Sequence, residues 1–155
     1  QHKIRTSLGI LYISLNSFNN NLTGLDINKN TLLVNLYCSS NQLTNLDITN
    51  NQNLEYLQCF SNKIKVLDLK KNLNLKYLQC HANQIAVLDL SKHTQLQYIE
   101  CFSNLLTNLD ISKSLSLGYL DCSSNKIQTI CVNNLSQVRN YSWYKDPTAT
   151  YKICN

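Results

Sequence analysis

The side chains able to do chemistry are few, and most stand in files. Seven cysteines, three histidines and nine carboxylates are spread over 155 residues. Five of the cysteines, Cys38, Cys59, Cys80, Cys101 and Cys122, recur every 21 residues. Thiolates can hold a metal, but zinc sites use close pairs such as C-x2-C whose ligands converge on a tetrahedron. A linear file at strand spacing does not converge. Each of these cysteines therefore reads as a small buried hydrophobe with an inert thiol. Asp26, Asp47, Asp68, Asp89 and Asp110 form a second file of the same period. Calcium asks for about 6–8 oxygens, and the Gly-rich, Asp-dense turn of calcium-binding β-helix repeats is missing. The favoured reading has each carboxylate accept N–H bonds of its own turn or the next. No metal is expected.

Nor do these residues assemble a catalytic constellation. A nucleophile needs a base within about 3 Å and a third group to orient that base. His2 lies near the terminus, His93 falls on a turn of the back, and His81 stands alone among the outward residues. Glu100 could reach His81, but Asp121 lies two strand spacings away, about 10 Å. Phosphate loops and metalloprotease motifs are absent from the sequence. The expectation is a chain that is not an enzyme and carries no cofactor.

What positions these files is a repeat. The segments starting at Leu33, Leu54, Leu75, Leu96 and Leu117 align without a gap, and a weaker copy starts at Tyr12. Their pattern is L-x-x-L-x-C-x-x-N-x-[LI]-x-x-[LI]-D-[LI]-x5. The expected organisation is a cap segment over residues 1–11, six 21-residue repeats over 12–137, and a half repeat with a C-terminal cap over 138–155. Composition agrees with a packed solenoid. With 43% hydrophobic residues, 3 Gly and 1 Pro, collagen and Pro/Gly-rich disorder are excluded. Polarity comes from 23 asparagines, since charged residues reach only 15%. No apolar window is long enough to span a membrane. The first residues contain no apolar signal core, which fits a mature, trimmed or cytosolic chain.

The pattern resembles the leucine-rich repeat. It is most similar to the short variety of secreted Bacteroidetes proteins, in which L-x-Y-L-x-C and L-D-[LI] recur. The resemblance implies a solenoid arc with a parallel sheet on the concave face. The physics points the same way. Alternation puts Leu57 and Cys59 on one face and Tyr56 and Gln58 on the other. Only stacked copies can shelter the inward set. Five residues after L-D-[LI] are too few for a helix of ordinary length, so the convex side should consist of short strands and turns.

The columns then sort themselves. Asn20, Asn41, Asn62, Asn83, Asn104 and Asn125 form a structural ladder where the chain leaves each strand. Lys29, Lys71, Lys92 and Lys113, with Lys70 beside them, make a solvated convex file that discourages edge pairing. The net charge of +5 is mild, and no nucleic-acid motif accompanies it, so no nucleic acid and no membrane insertion are expected. The concave face is the expected site. Tyr37, Tyr56, Phe60, Tyr77, His81, Tyr98, Glu100, Phe102 and Tyr119 fall on it as a strip of outward aromatics with acids beside them. Such a strip marks a contact surface, though cross-strand tyrosine stacking also stabilises a sheet. The expected partner is another protein, a host extracellular protein among the candidates. The alternatives are a glycan stacked on the tyrosines or a second copy of the chain. The resemblance adds adhesion or host contact as a role.

Cys131 and Cys154 remain. Cys131 replaces the Asp of earlier copies, and Cys154 all but ends the chain. A bridge between them would clamp the last coil to the tail, and it implies an oxidising compartment, hence a secreted or cell-surface protein. The tail, Cys131-Val132-Asn133 followed by Trp143 to Cys154, also resembles the cap of those Bacteroidetes proteins, where a secretion-sorting domain often follows. A non-reducing peptide map should show Cys131 joined to Cys154. Thiol reagents should reach Cys59, Cys80 and Cys101 only after unfolding, and seven reactive thiols in the native protein would remove both the bridge and the compartment argument.

Overall fold

The computed structural model describes residues 2–5, 13–139 and 143–154. Tyr12, most of the expected N-terminal cap segment and residues 140–142 of the half repeat lie outside the described residues. The strands are short: β1 (His2–Arg5), β2 (Ser14–Asn16), β3 (Leu22–Asp26), β4 (Asn35–Tyr37), β5 (Tyr56–Gln58), β6 (Tyr77–Gln79), β7 (Tyr98–Glu100), β8 (Asn108–Asp110), β9 (Tyr119–Asp121), β10 (Thr129–Val132), β11 (Trp143–Tyr144) and β12 (Thr150–Ile153). One helical turn, α1 (Ser136–Arg139), is the only helix among the described residues, so the convex side is built from turns and short strands as expected.

The chain is a parallel solenoid. Seven strands form one sheet in the order β2-β4-β5-β6-β7-β9-β11. The second segment of each coil forms ladders only near the ends, as β1-β3 and β8-β10-β12. Each middle strand has one buried residue between two half-buried ones, the signature of a strand with one face in the core. Registers such as Tyr56↔Tyr77 and Leu57↔Leu78 advance by one repeat, so equivalent residues stack. The core holds columns such as Leu36, Leu57, Leu78, Ile99 and Leu120, all fully buried. The five repeat cysteines are buried and free. Burial pushes the Cys38 and Cys80 thiols up to about 12, which keeps them protonated and unreactive.

Two polar ladders hold the coils in register. In the first, Asn83 Nδ2 donates to the carbonyls of Cys59, Cys80 and His81 at 3.0–3.2 Å, while its Oδ1 accepts the Ile64 N–H at 3.0 Å. Asn62 and Asn104 repeat that pattern. The turn above each Asn needs a left-handed residue, and it is the one before the Asn that adopts it. Ser40, Ser61, Ala82, Ser103 and Ser124 have φ of 51–54°. A residue with a Cβ is disfavoured there by roughly 1–2 kcal/mol, and the Asn bonds on either side hold it in place.

The second ladder was not legible in the repeat pattern. Asn51 Nδ2 donates to the Asn30 carbonyl at 2.7 Å and Asn72 Nδ2 to the Asn51 carbonyl at 2.8 Å. Ser114 Oγ continues it to the His93 carbonyl, and Gln137 Nε2 to the Ser114 carbonyl, both at 2.9 Å. His93 therefore does not sit out on the convex turn. It is 1% exposed and fills the rung between Asn72 and Ser114. Its ring lies near the Leu69 and Asn72 carbonyls, yet neither ring nitrogen makes a hydrogen bond of good geometry.

The C-terminal end is closed by a change of register. Trp143 faces Leu120 and Tyr144 faces Asp121, two residues further along than the 21-residue step. A constant 21-residue step would put Tyr144 in the Phe60-His81-Phe102 column; the longer step puts it opposite Asp121 instead, at the end of the Gln58-Gln79-Glu100-Asp121 row. The step returns to 21 in β12, where Thr129 faces Thr150. Trp143 and Tyr151 pack on the core end. Asp146 accepts the Asn125 N–H with both carboxylate oxygens at 3.1–3.2 Å, ending the first ladder with a group that needs no further donor site. The Cys131–Cys154 disulfide ties this cap to β10.

Burial lowers the His93 pKa below its ordinary 6.5. The unfolded chain thus takes up a proton first as pH falls. The resulting stability is complete above about pH 6.5 and is lost below it, as the pH moves down through the folded pKa. His93→Asn restores the amide rung. In urea titrations it should gain about 1 kcal/mol at neutral pH and lose less stability than wild type between pH 7.5 and 5.5. An equal loss would show that His93 is not the buried base.

Candidate functional site

The concave sheet brings all nine expected residues to one face, carried by β4 to β7, β9 and the turns that follow β5, β6 and β7. Every one of them is half-buried rather than freely exposed, which corrects the picture of an open aromatic strip. The cause is the register. Parallel strands stand about 4.8 Å apart, close to a comfortable ring-stacking distance, so identical residues in step cover one another. Tyr56 and Tyr77 stack at 4.6 Å and 7°, and Tyr98 and Tyr119 at 4.5 Å and 10°. Tyr77 and Tyr98 are looser at 6.0 Å and 28°.

A second ring file runs beside the tyrosines. His81 is held between Phe60 at 4.4 Å and Phe102 at 4.2 Å, nearly parallel to both. Phe18, which the nine omitted, approaches Phe60 at 6.4 Å across the fully buried Ser39. Tyr37 joins neither file. It faces Gln58 across the sheet and belongs to the polar row, not to the ring columns.

Between the files lies that row: Gln58, Gln79, Glu100 and Asp121. Glu100 is its hub. Its Oε1 accepts the Tyr98 hydroxyl at 2.5 Å and its Oε2 accepts Gln79 Nε2 at 2.6 Å. His81 Nδ1 stands 3.5 Å from Oε2. That is a Coulombic contact without hydrogen-bond geometry. Burial lowers the His81 pKa, against the opposing pull of Glu100 and Asp121. Burial, the Glu100 hydrogen bond and nearby carboxylates hold Tyr98 well above the ordinary phenol value. Asp121 accepts the N–H and hydroxyl of Ser123 at 3.1 and 2.6 Å.

Elsewhere the files behave as structure. Asp47 and Asp89 accept N–H and hydroxyl bonds from Thr49 and Ser91 of their own coils. Asp68 and Asp110 accept the N–H two residues on. Among the described residues no three His, Cys, Asp or Glu side chains are grouped to hold a metal. Among the described residues no helix is long and apolar enough to cross a membrane.

No family model matches the chain, and no curated protein matches it significantly. Solved structures do share its fold. One is the LRIM1/APL1C complex, with a TM-score of 0.69 and 22% identity over 76% of this chain. An internalin (InlF) from Listeria monocytogenes has a TM-score of 0.65 and 18% identity over 86%. The leucine-rich repeat domain of APL1B has a TM-score of 0.59 and 19% identity over 83%. The chain spans about a quarter to a half of these neighbours, at 24%, 50% and 45% of their lengths. The fold is that of a leucine-rich repeat solenoid.

Nitration by tetranitromethane needs phenolate and access. At pH 8, mass spectrometry should find Tyr144, which is 54% exposed, modified well before Tyr98. Glu100→Gln should speed the modification of Tyr98. Equal rates at the two tyrosines would contradict the hydrogen-bonded hub.

Proposed function

We propose that the chain is a non-catalytic binding module that holds another protein on its concave sheet, through Tyr37, Tyr56, Phe60, Tyr77, His81, Tyr98, Glu100, Phe102 and Tyr119. The observation that carries this reading is the face-to-face packing of the rings. Stacked rings present their edges and hydroxyls outward, in a surface that is amphipathic and already ordered. Such tyrosine surfaces suit protein contacts, because little side-chain freedom is left to lose on binding. A sugar ring needs an aromatic face, and the inner rings of both files have theirs covered. This weighs against a glycan as the principal ligand. One fold neighbour was itself solved as a complex, LRIM1 with APL1C, which supports a protein partner.

A secreted or surface setting, with adhesion or host contact as the role, is part of the same proposal. It draws on the Cys131–Cys154 bridge, since disulfides persist in oxidising compartments. The hydroxyls beside carboxylates, Tyr98 on Glu100 and Ser123 on Asp121, are joined by no hydrogen-bonded third group that would complete a catalytic triad among the described residues. The repeat thiols are buried, and His81 is locked between two rings.

The test is a pull-down from host extracellular proteins with wild type and with Tyr77→Ala/Tyr98→Ala, after thermal melts confirm that both fold. A protein held by wild type should be lost from the variant by about tenfold or more, equivalent to ~1.4 kcal/mol. Equal capture by both would place binding elsewhere. A wild-type dimer by light scattering, with the tyrosines protected, would replace the partner with a second copy.

A further inference from the structure

We propose that the C-terminal end of the concave face is a socket for an arginine side chain of the protein partner. The inference rests on the concave reading above and adds the chemistry of the contact. The Phe60-His81-Phe102 file stops at Phe102. One face of that ring lies on His81 at 4.2 Å. The next coil supplies only Ser123 at the equivalent position, and Tyr144 has moved away, tilted against Tyr119 at 6.2 Å and 53°. The other interruption of this file is closed. At Ser39 the serine is fully buried and the flanking Phe18 and Phe60 meet above it. Ser123 is half-buried, so the outer face of Phe102 is left beside a small polar residue.

Charge selects what should lie there. Glu100 and Asp121 are paired across β7 and β9, two carboxylates a single strand spacing apart. Both Glu100 oxygens are occupied by neutral donors. Asp121 uses only Oδ1, for Ser123, and its second oxygen has no partner among the described residues. Neither acid has a lysine or arginine within ion-pair distance among those residues. Lys145 of the adjoining cap is engaged elsewhere, donating to the Ala149 carbonyl at 2.7 Å and lying over Tyr151. In a chain of net charge +5, this corner is short of a cation.

A flat ring face beside a half-used carboxylate fits one side chain best. Guanidinium is planar and weakly hydrated, stacks on aromatic rings and forks onto carboxylates. An ammonium is compact and strongly hydrated, and would use the charge but not the ring.

The experiment is an amide NMR titration of the folded protein with N-acetyl-arginine amide, and with the citrulline and lysine counterparts. Arginine should give saturable shifts at Phe102, Asp121 and Ser123. Citrulline, flat but neutral, should bind about fivefold more weakly, as for a lost exposed ion pair. Asp121→Asn keeps an acceptor for Ser123 and should weaken arginine as much. Phe102→Leu should weaken arginine while leaving lysine unchanged. Absence of saturable shifts, or equal binding of arginine and citrulline, would overturn the socket. If a captured partner is lost from the Tyr77/Tyr98 variant yet is indifferent to Asp121→Asn, the concave reading stands and the socket fails.

Discussion

Each coil leaves its strand through a turn whose backbone groups cannot satisfy one another. The Asn83 amide shows what that demands: its Nδ2 bonds three carbonyls in two coils, and its Oδ1 takes an N–H from the coil before. A coil is therefore incomplete until its successor arrives. Leaving such buried groups unmet costs about 1–3 kcal/mol apiece, which makes the array cooperative and keeps the coils from β2 to β9 at the same length. The left-handed residue before each Asn is held by the same bonds, so a serine or alanine suffices where an isolated turn would call for glycine.

A ladder that runs on identical rungs has a difficulty at its end, because the last rung offers bonding groups with nothing to receive them. Here the end is closed by residues that look like the repeat but differ in one chemical respect. Asp146 accepts without donating, and Gln137 reaches across the longer last turn to the Ser114 carbonyl. Lys145 places its ammonium on carbonyls of the cap. The disulfide then limits fraying of a strand that packs on one side only. The two-residue slip at Trp143 follows from the same need, since it turns an indole onto the exposed core end.

How much of this was legible depended on whether a residue repeats. The solenoid, the buried cysteines, the first Asn ladder, the Asx turns of the aspartate file and the near absence of convex helix all follow from columns of like residues. The second ladder escaped notice because its rungs change identity, from Asn72 to His93 to Ser114 to Gln137, and no single type marks the column. Spacing alone therefore leaves His93 on a turn of the back, with nothing to mark it as a buried rung. The slip at Tyr144 was unreadable because an offset of two preserves the look of the motif. The nine concave residues were legible as a face. Their mutual burial was not, because alternation tells which way a ring points and says nothing about the ring one strand away.

On the proposed reading, that burial ties binding to stability. The rings that would meet a partner also close the sheet, so they cannot vary freely without loosening the coils that carry them. Variation is least restricted where a stack is already broken, and this molecule has two such places in one file. At Ser39 the neighbouring phenylalanines fill the break. At Ser123 the file has no following ring, because Tyr144 stands opposite Asp121, and Asp121 pairs with Glu100 on the adjoining strand. Identical coils offer a partner identical contacts, so on the proposed reading a distinguishing contact would fall at a departure from repetition, and one such departure lies next to the Glu100 and Asp121 pair.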